Sequence, residues 1–107
     1  MKINITGNNL ELTPAIKEYV EMRLGTLNKL LVRFDDSSVR AHVVLARTTN
    51  HHNQGDVYQA EINLSIPHRS FVAKSEGSDI RAIFDEAKDK LKHELIKYKE
   101  QKISDHS

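Results

Sequence analysis

Tyr58-Gln59-Ala60-Glu61-Ile62-Asn63-Leu64-Ser65-Ile66 is the stretch that decides the fold. Successive side chains of a strand alternate between faces, so Tyr58, Ala60, Ile62, Leu64 and Ile66 share one side, and Gln59, Glu61, Asn63 and Ser65 the other. One face is apolar and the other polar, which marks a sheet covered on one side and wet on the other. Pro67-His68-Arg69 turns the chain, and Phe71 to Ser75 reads as the next strand. Upstream, Val39, Ala41, Val43 and Leu45 alternate with Arg40, His42, Val44 and Ala46 to give the preceding strand, separated by a polar loop from Thr48 to Gly55. Lys2 to Thr6 alternates as well and reads as a short first strand, ended by a turn at Gly7-Asn8-Asn9.

Two helices complete the pattern. Thr13 is an N-cap and Pro14 the first helical residue. Ile16, Val20, Leu24, Leu27 and Leu31 then keep helical spacing. This places Gly25 inside the helix, where it costs about 1 kcal/mol relative to Ala and points to close packing against the sheet. Gly77-Ser78-Asp79 opens a second, longer helix. Ile80, Ile83, Phe84, Ala87, Leu91, Leu95 and Tyr98 recur there at three- and four-residue steps and form one apolar stripe. Acids dominate its first turns and lysines its last, which suits the helix dipole. Lys88, Lys92 and Lys99 flank the stripe on one side, and Lys90, His93 and Lys97 on the other. The order is β-α-β-β-β-α, an α+β fold with two helices packed on one face of a four-stranded sheet.

The 107 residues are expected to form one domain, residues 1–103, with 104–107 as a short polar tail. There is no Cys, hence no disulfide, thiolate zinc site or cysteine nucleophile. The first residues are too few and too polar for a signal segment, and no apolar run reaches membrane-spanning length. A cytoplasmic location is expected, with no membrane partner, and the sequence shows no strongly apolar exposed strand that would force a dimer. The net charge of +1 hides an asymmetry, with Glu11, Glu18 and Glu21 early and most lysines late.

Catalytic signatures are missing. No G-x-S-x-G elbow, phosphate-binding loop or dinucleotide fingerprint occurs. The acid pairs Asp35-Asp36 and Asp85-Glu86 read as solubilising positions. His51-His52, with Asp56 nearby, lacks the spacing of a metal site, so no metal, cofactor or small-molecule substrate is expected. The aromatics Tyr19, Phe34, Tyr58, Phe71, Phe84 and Tyr98 fall mostly on core positions rather than on a base-stacking platform. The rows of cations on a long rigid helix suit a phosphate-lined surface, although surface helices are often lysine-rich without any partner.

Asn4-Ile5-Thr6-Gly7-Asn8-Asn9, followed by Leu12-Thr13-Pro14-Ala15-Ile16, resembles the opening of the ribosome hibernation promoting factor family. Asp79-Ile80-Arg81-Ala82-Ile83-Phe84-Asp85, with Lys90-Leu91, Leu95 and Lys97, resembles that family's last helix, and Ala60 to Leu64 with Pro67 fits its middle. The resemblance covers nearly the whole chain in order. It implies a fold related to double-stranded-RNA-binding domains, and a position in the mRNA and tRNA channel of the small ribosomal subunit. There the family blocks both ligands and stores inactive ribosomes. It also implies rRNA contacts at Lys17, Arg23 and Lys29 in the first helical region and at Lys90, His93, Lys97 and Lys99 in the second. The chain departs from the family at His93, usually Arg; at Thr26, often Lys; at Arg81, usually Tyr; and at Phe84, usually Ile. Lys88 and Lys92 are additional cations that shift the expected footprint. The length resembles the family's short form, without the long form's second domain.

A rival of another class is a protein-interaction module whose basic helix binds an acidic partner such as a transcription regulator. Ribonuclease-sensitive co-sedimentation with small subunits separates the two readings. The apolar stripe itself is testable: Leu91→Ala is expected to destabilise the fold by about 2–5 kcal/mol. An unfolding midpoint equal to that of the parent protein would remove Leu91 from the core.

Overall fold

The computed structural model describes residues 1–49 and 55–105. Strands β1 (Lys2–Asn8), β2 (Arg40–Thr49), β3 (Asp56–Ile66) and β4 (Arg69–Gly77) form one sheet in that spatial order. Helix α1 (Pro14–Gly25) carries the chain from β1 to its parallel neighbour β2, and α2 (Ile80–Asp105) follows β4. The β2–β3 and β3–β4 pairs are antiparallel. Ile66 pairs with Arg69, so Pro67-His68 is a two-residue connection. Proline presets a φ near −65° and His68 sits at φ 69°, the pattern of a type II turn.

The register builds the core in cross-strand rows. Ile5, Val43, Ile62 and Ala73 lie side by side, and so do Ile3, Ala41, Leu64 and Phe71. Onto these rows α1 lays Val20 and Leu24, and α2 lays Ile83, Phe84, Ala87, Leu91 and Leu95, all buried. The opposite face carries polar rows such as Thr6, Val44, Glu61 and Lys74, and is left open. The expected α+β architecture is therefore observed.

Several boundaries differ from expectation for physical reasons. β1 continues through Gly7 and Asn8. A side chain at position 7 would meet the Leu10 carbonyl at 2.5 Å, so glycine permits the chain to fold back there. The turn falls at Asn9, at φ 55°, whose amide donates to the Arg47 carbonyl at 3.2 Å. Thr13 caps α1 as expected, its hydroxyl accepting from Ile16 N–H at 3.2 Å. α1 stops at Gly25, however, and a 3-10 turn at Asn28–Leu30 follows, so Leu27 and Leu31 reach the core without a continuous helix. Nothing lies within 4 Å of a Cβ built on Gly25, so this glycine marks an open helix end rather than a close packing. Asp79 caps α2, its carboxylate accepting from the N–H groups of Arg81 at 3.0 Å and Ala82 at 3.3 Å. The first turn of α2 contains no acid, and the helix passes the expected tail boundary to end at Asp105. Its 26 residues span about 39 Å.

The two helices meet at one polar point. Asp85 of α2 accepts the Tyr19 hydroxyl with one oxygen and the Arg23 Nε–H, at 2.8 Å, with the other. The Tyr19 ring stands edge-on to Phe84, 6.4 Å between centroids. Asp85 is thus a clasp between the helices and not a solubilising residue. Burial pushes its carboxyl pKa up, but the Tyr19 hydrogen bond and the Arg23 guanidinium outweigh burial and hold it below the ordinary value. The same hydrogen bond raises the Tyr19 hydroxyl. Both charged side chains remain about one-third exposed, at 37% for Arg23 and 29% for Asp85, so solvent screens the pair.

Asp85→Asn is expected to cost about 1 kcal/mol at neutral pH. A lowered carboxylate stabilises the fold above its unfolded value of about 3.9, and that stabilisation is lost as pH falls through the lowered folded value. A raised phenol stabilises below about 10, and its contribution is lost as pH climbs through the raised folded value. Urea unfolding of the two proteins should therefore differ at neutral pH and converge in strong acid. A gap that persists undiminished in acid would contradict the clasp.

Candidate nucleic-acid interface

The site begins with the rotation of α2. Burial of Phe84, Ala87, Leu91 and Leu95 turns the apolar stripe toward the sheet, so residues on either side are carried to two separate flanks. The flank facing α1 is identified by Asp85 and its partners Tyr19 and Arg23. Arg81, Lys88, Lys92 and Lys99 follow this flank at steps of seven, four and seven, which keeps them within about 40° of one another around the axis. The other flank overhangs the edge strand β4. There Lys90 Nζ donates to the Lys74 carbonyl at 2.8 Å and lies 3.7 Å from Glu86. Lys97 lies 3.7 Å from Glu94, and His93 is exposed between them. Such loose surface pairs are worth little, so they exchange readily for a phosphate.

The residues singled out from sequence do not form one patch. Lys90, His93 and Lys97 share the β4 flank, as their spacing predicts. Lys92 and Lys99, partly buried along their stems, lie on the α1 flank. Lys17 is exposed on α1, two residues from Tyr19 and hence on the side away from α2. Lys29 is exposed in the 3-10 turn after α1. Arg23 is half-committed, since its Nε–H belongs to Asp85, and that hydrogen bond raises its pKa.

Lys88 is a correction. It is buried, and its ammonium lies 3.1 Å from Asp89. The position four residues after Phe84 places it at the margin of the stripe, so its methylene stem packs inward and its ammonium is taken up by the neighbouring Asp89. Lys88 is therefore removed from the candidate contacts. Arg81 is the opposite case. Its guanidinium lies 5.4 Å from the centroid of the Tyr19 ring, and it is exposed. Spacing alone did not single it out, because the ring that orients it comes from α1.

The open face of the sheet is electrostatically mixed. Glu61 lies 3.3 Å from Lys74 and accepts from Asn63, whose amide is the main reason its carboxyl is held below the ordinary value, Lys74 adding to the effect. Gln59 donates to Glu76 at 3.2 Å, and His42 shares a 2.9 Å hydrogen bond with Thr6. Acids and bases are interspersed there, whereas the α1 flank of α2 carries Arg81, Lys88, Lys92 and Lys99 in one row. His51 and His52 lie outside the described residues, and among the described residues no three His, Cys, Asp or Glu side chains gather as metal ligands. No helix among the described residues is long and apolar enough to cross a membrane.

Comparison with known proteins gives a consistent result. The family model described as "Sigma 54 modulation protein / S30EA ribosomal protein" matches residues 3–103. A ribosome hibernation promoting factor of Escherichia coli is 31% identical over 110 residues, covering 99% of this chain and 100% of that protein. A ribosome hibernation promotion factor of Deinococcus radiodurans is 30% identical over 95 residues, and the match covers 89% of this chain but only 47% of that longer protein. Among solved structures, the N-terminal domain of Thermus thermophilus Protein Y superposes with a TM-score of 0.75 at 31% identity, covering 92% of this chain and 99% of that one. On this sequence match and this fold, the chain belongs to the Sigma 54 modulation protein / S30EA ribosomal protein family, that of the ribosome hibernation promoting factors.

Proposed function

We propose that this protein is a ribosome hibernation factor that binds rRNA of the small ribosomal subunit in the mRNA and tRNA channel. By filling that channel it excludes mRNA and tRNA, and so stores the ribosome in an inactive, cytoplasmic pool during stress. The observation that carries this reading is the two rows of cations, Lys92 and Lys99 on one flank and Lys90, His93 and Lys97 on the other, of a helix of about 39 Å whose rotation is locked by its apolar stripe. The names of its relatives in Escherichia coli and Deinococcus radiodurans support it. Lys17, Arg23, Lys29, Lys90, Lys92, His93, Lys97 and Lys99 are the proposed contacts.

The chemistry is occlusion rather than catalysis. Lysine ammonium groups neutralise phosphates and release counterions, so affinity should fall steeply with salt. Selectivity comes from the shape of the folded rRNA against two helices held at a fixed spacing. Two of the partly exposed aromatics are engaged inside the protein: Tyr19 holds Asp85, and Tyr98 makes a T-shaped pair with Phe71, 5.7 Å between centroids. Base stacking is therefore a minor contribution, and phosphate contacts dominate.

The double variant Lys90→Glu, Lys97→Glu tests this directly, because both side chains are exposed and neither supports the core. It should fold normally and lose co-sedimentation with small subunits by at least an order of magnitude, since each reversal replaces attraction to a phosphate by repulsion. Co-sedimentation equal to that of the parent protein would place the binding surface elsewhere.

A further inference from the structure

We infer that Arg81 and Arg23 form a phosphate clamp at the head of the groove between α1 and α2, built on the Tyr19 ring. The inference rests on the rRNA-binding reading above, which already includes Arg23, and adds Arg81, a contact that neither residue spacing nor family resemblance assigns. Both guanidinium groups lie over one aromatic ring, Arg81 at 5.4 Å from its centroid and Arg23 at 6.0 Å. They come from different helices, so the ring brings together two forks that are far apart in sequence. Stacking on an aromatic face holds a guanidinium plane in place and leaves its N–H edge free to donate.

The ring is itself immobilised. Its hydroxyl donates to Asp85, and the ring makes a T-shaped pair with the buried Phe84. Asp85 also takes Arg23 Nε–H, which holds the guanidinium plane and leaves its outer Nη edge free to donate. Arg81 makes no ion pair among the described residues, so its N–H groups are not taken up by a carboxylate. Arg23, Arg81 and Lys88 set against Asp85 and Asp89 leave one net positive charge here, on side chains that are already ordered. Preorganisation of this kind lowers the entropy lost on binding.

The geometry selects the ligand class. Arg81 begins the row that continues with Lys92 and Lys99 on the same flank of α2, a line of about 27 Å at 1.5 Å per residue. Planar forks match the paired oxygens of a phosphate, and a row of cations along a rod matches the repeating charge of an RNA backbone.

The test compares the parent protein with Arg81→Gln and Arg81→Lys in binding to purified small ribosomal subunits across a range of salt. Arg81→Gln should keep a thermal midpoint near that of the parent, bind about tenfold more weakly, and show a salt slope shallower by about one unit. Arg81→Lys should restore the slope but not the full affinity, because an ammonium keeps the charge and loses the stacked fork. Parental affinity and slope for Arg81→Gln would overturn the clamp while leaving the proposed function standing. Lys at position 81 with full parental affinity would overturn the role of the Tyr19 platform. Failure of the parent protein to bind small subunits overturns both readings. Displacement of the protein from subunits by polyglutamate as effectively as by an RNA duplex of equal charge would assign the groove to an acidic polypeptide and overturn the clamp on RNA.

Discussion

Burial of the α2 stripe against the sheet is the constraint on which the rest of the molecule depends. Each large apolar side chain that is fully buried contributes about 1.5–3 kcal/mol, whereas an exposed ion pair contributes about 0–1 kcal/mol. Ile83, Phe84, Ala87, Leu91 and Leu95 are all buried, so apolar packing outweighs any pull of the flanking charges and sets the rotation of the helix. The cations then occupy whatever directions that rotation leaves. Lys90 and Lys97 hang over β4 and Lys92 and Lys99 face the α1 side because Leu91 and Leu95 point at the sheet. The arrangement of the binding surface is thus a consequence of the core.

Asp85 supplies a second constraint that the core does not. α2 lies over β3 and β4 with α1 beside it, and the polar contact between the helices gathers on this one carboxylate. An acid set among cations would ordinarily weaken a phosphate-binding surface. Here its charge is shared by a phenol and a guanidinium and held partly out of solvent, so it spaces the helices and orients Arg23. The open face of the sheet lacks such organisation. Its acids and bases pair across strands, as Glu61 does with Lys74, and present no uniform field.

Much of the fold was legible in the sequence because its signals are local. The alternation of Tyr58 to Ile66, the cap at Thr13 and the helix opening at Gly77-Ser78-Asp79 depend on neighbouring residues, and the structure keeps them. The end of α1 was not legible. Leu27 and Leu31 continue the helical period, yet a 3-10 turn buries them equally well, so periodicity could not distinguish the two. The candidate site was legible where exposure follows from helical position, as for Lys90 and Lys97. It failed for Lys88, whose stem packs at the stripe margin, and for Asp85, whose partners lie more than sixty residues away. Arg81 escaped for the same reason, since its platform belongs to another helix. Long-range side-chain pairing, rather than local pattern, is what the sequence conceals.

The central claim is that the helix flanks, and not the open face of the sheet, meet the ribosome. Lysine footprinting tests it most directly: the free and subunit-bound protein are methylated under mild conditions, and each lysine is read by mass spectrometry. Lys2 and Lys74 lie on the open face and serve as internal references. Protection of Lys90, Lys92, Lys97 and Lys99 on the small subunit, with Lys2 and Lys74 still reactive, is the predicted result. Protection of Lys2 and Lys74 with the α2 lysines left reactive would contradict the account.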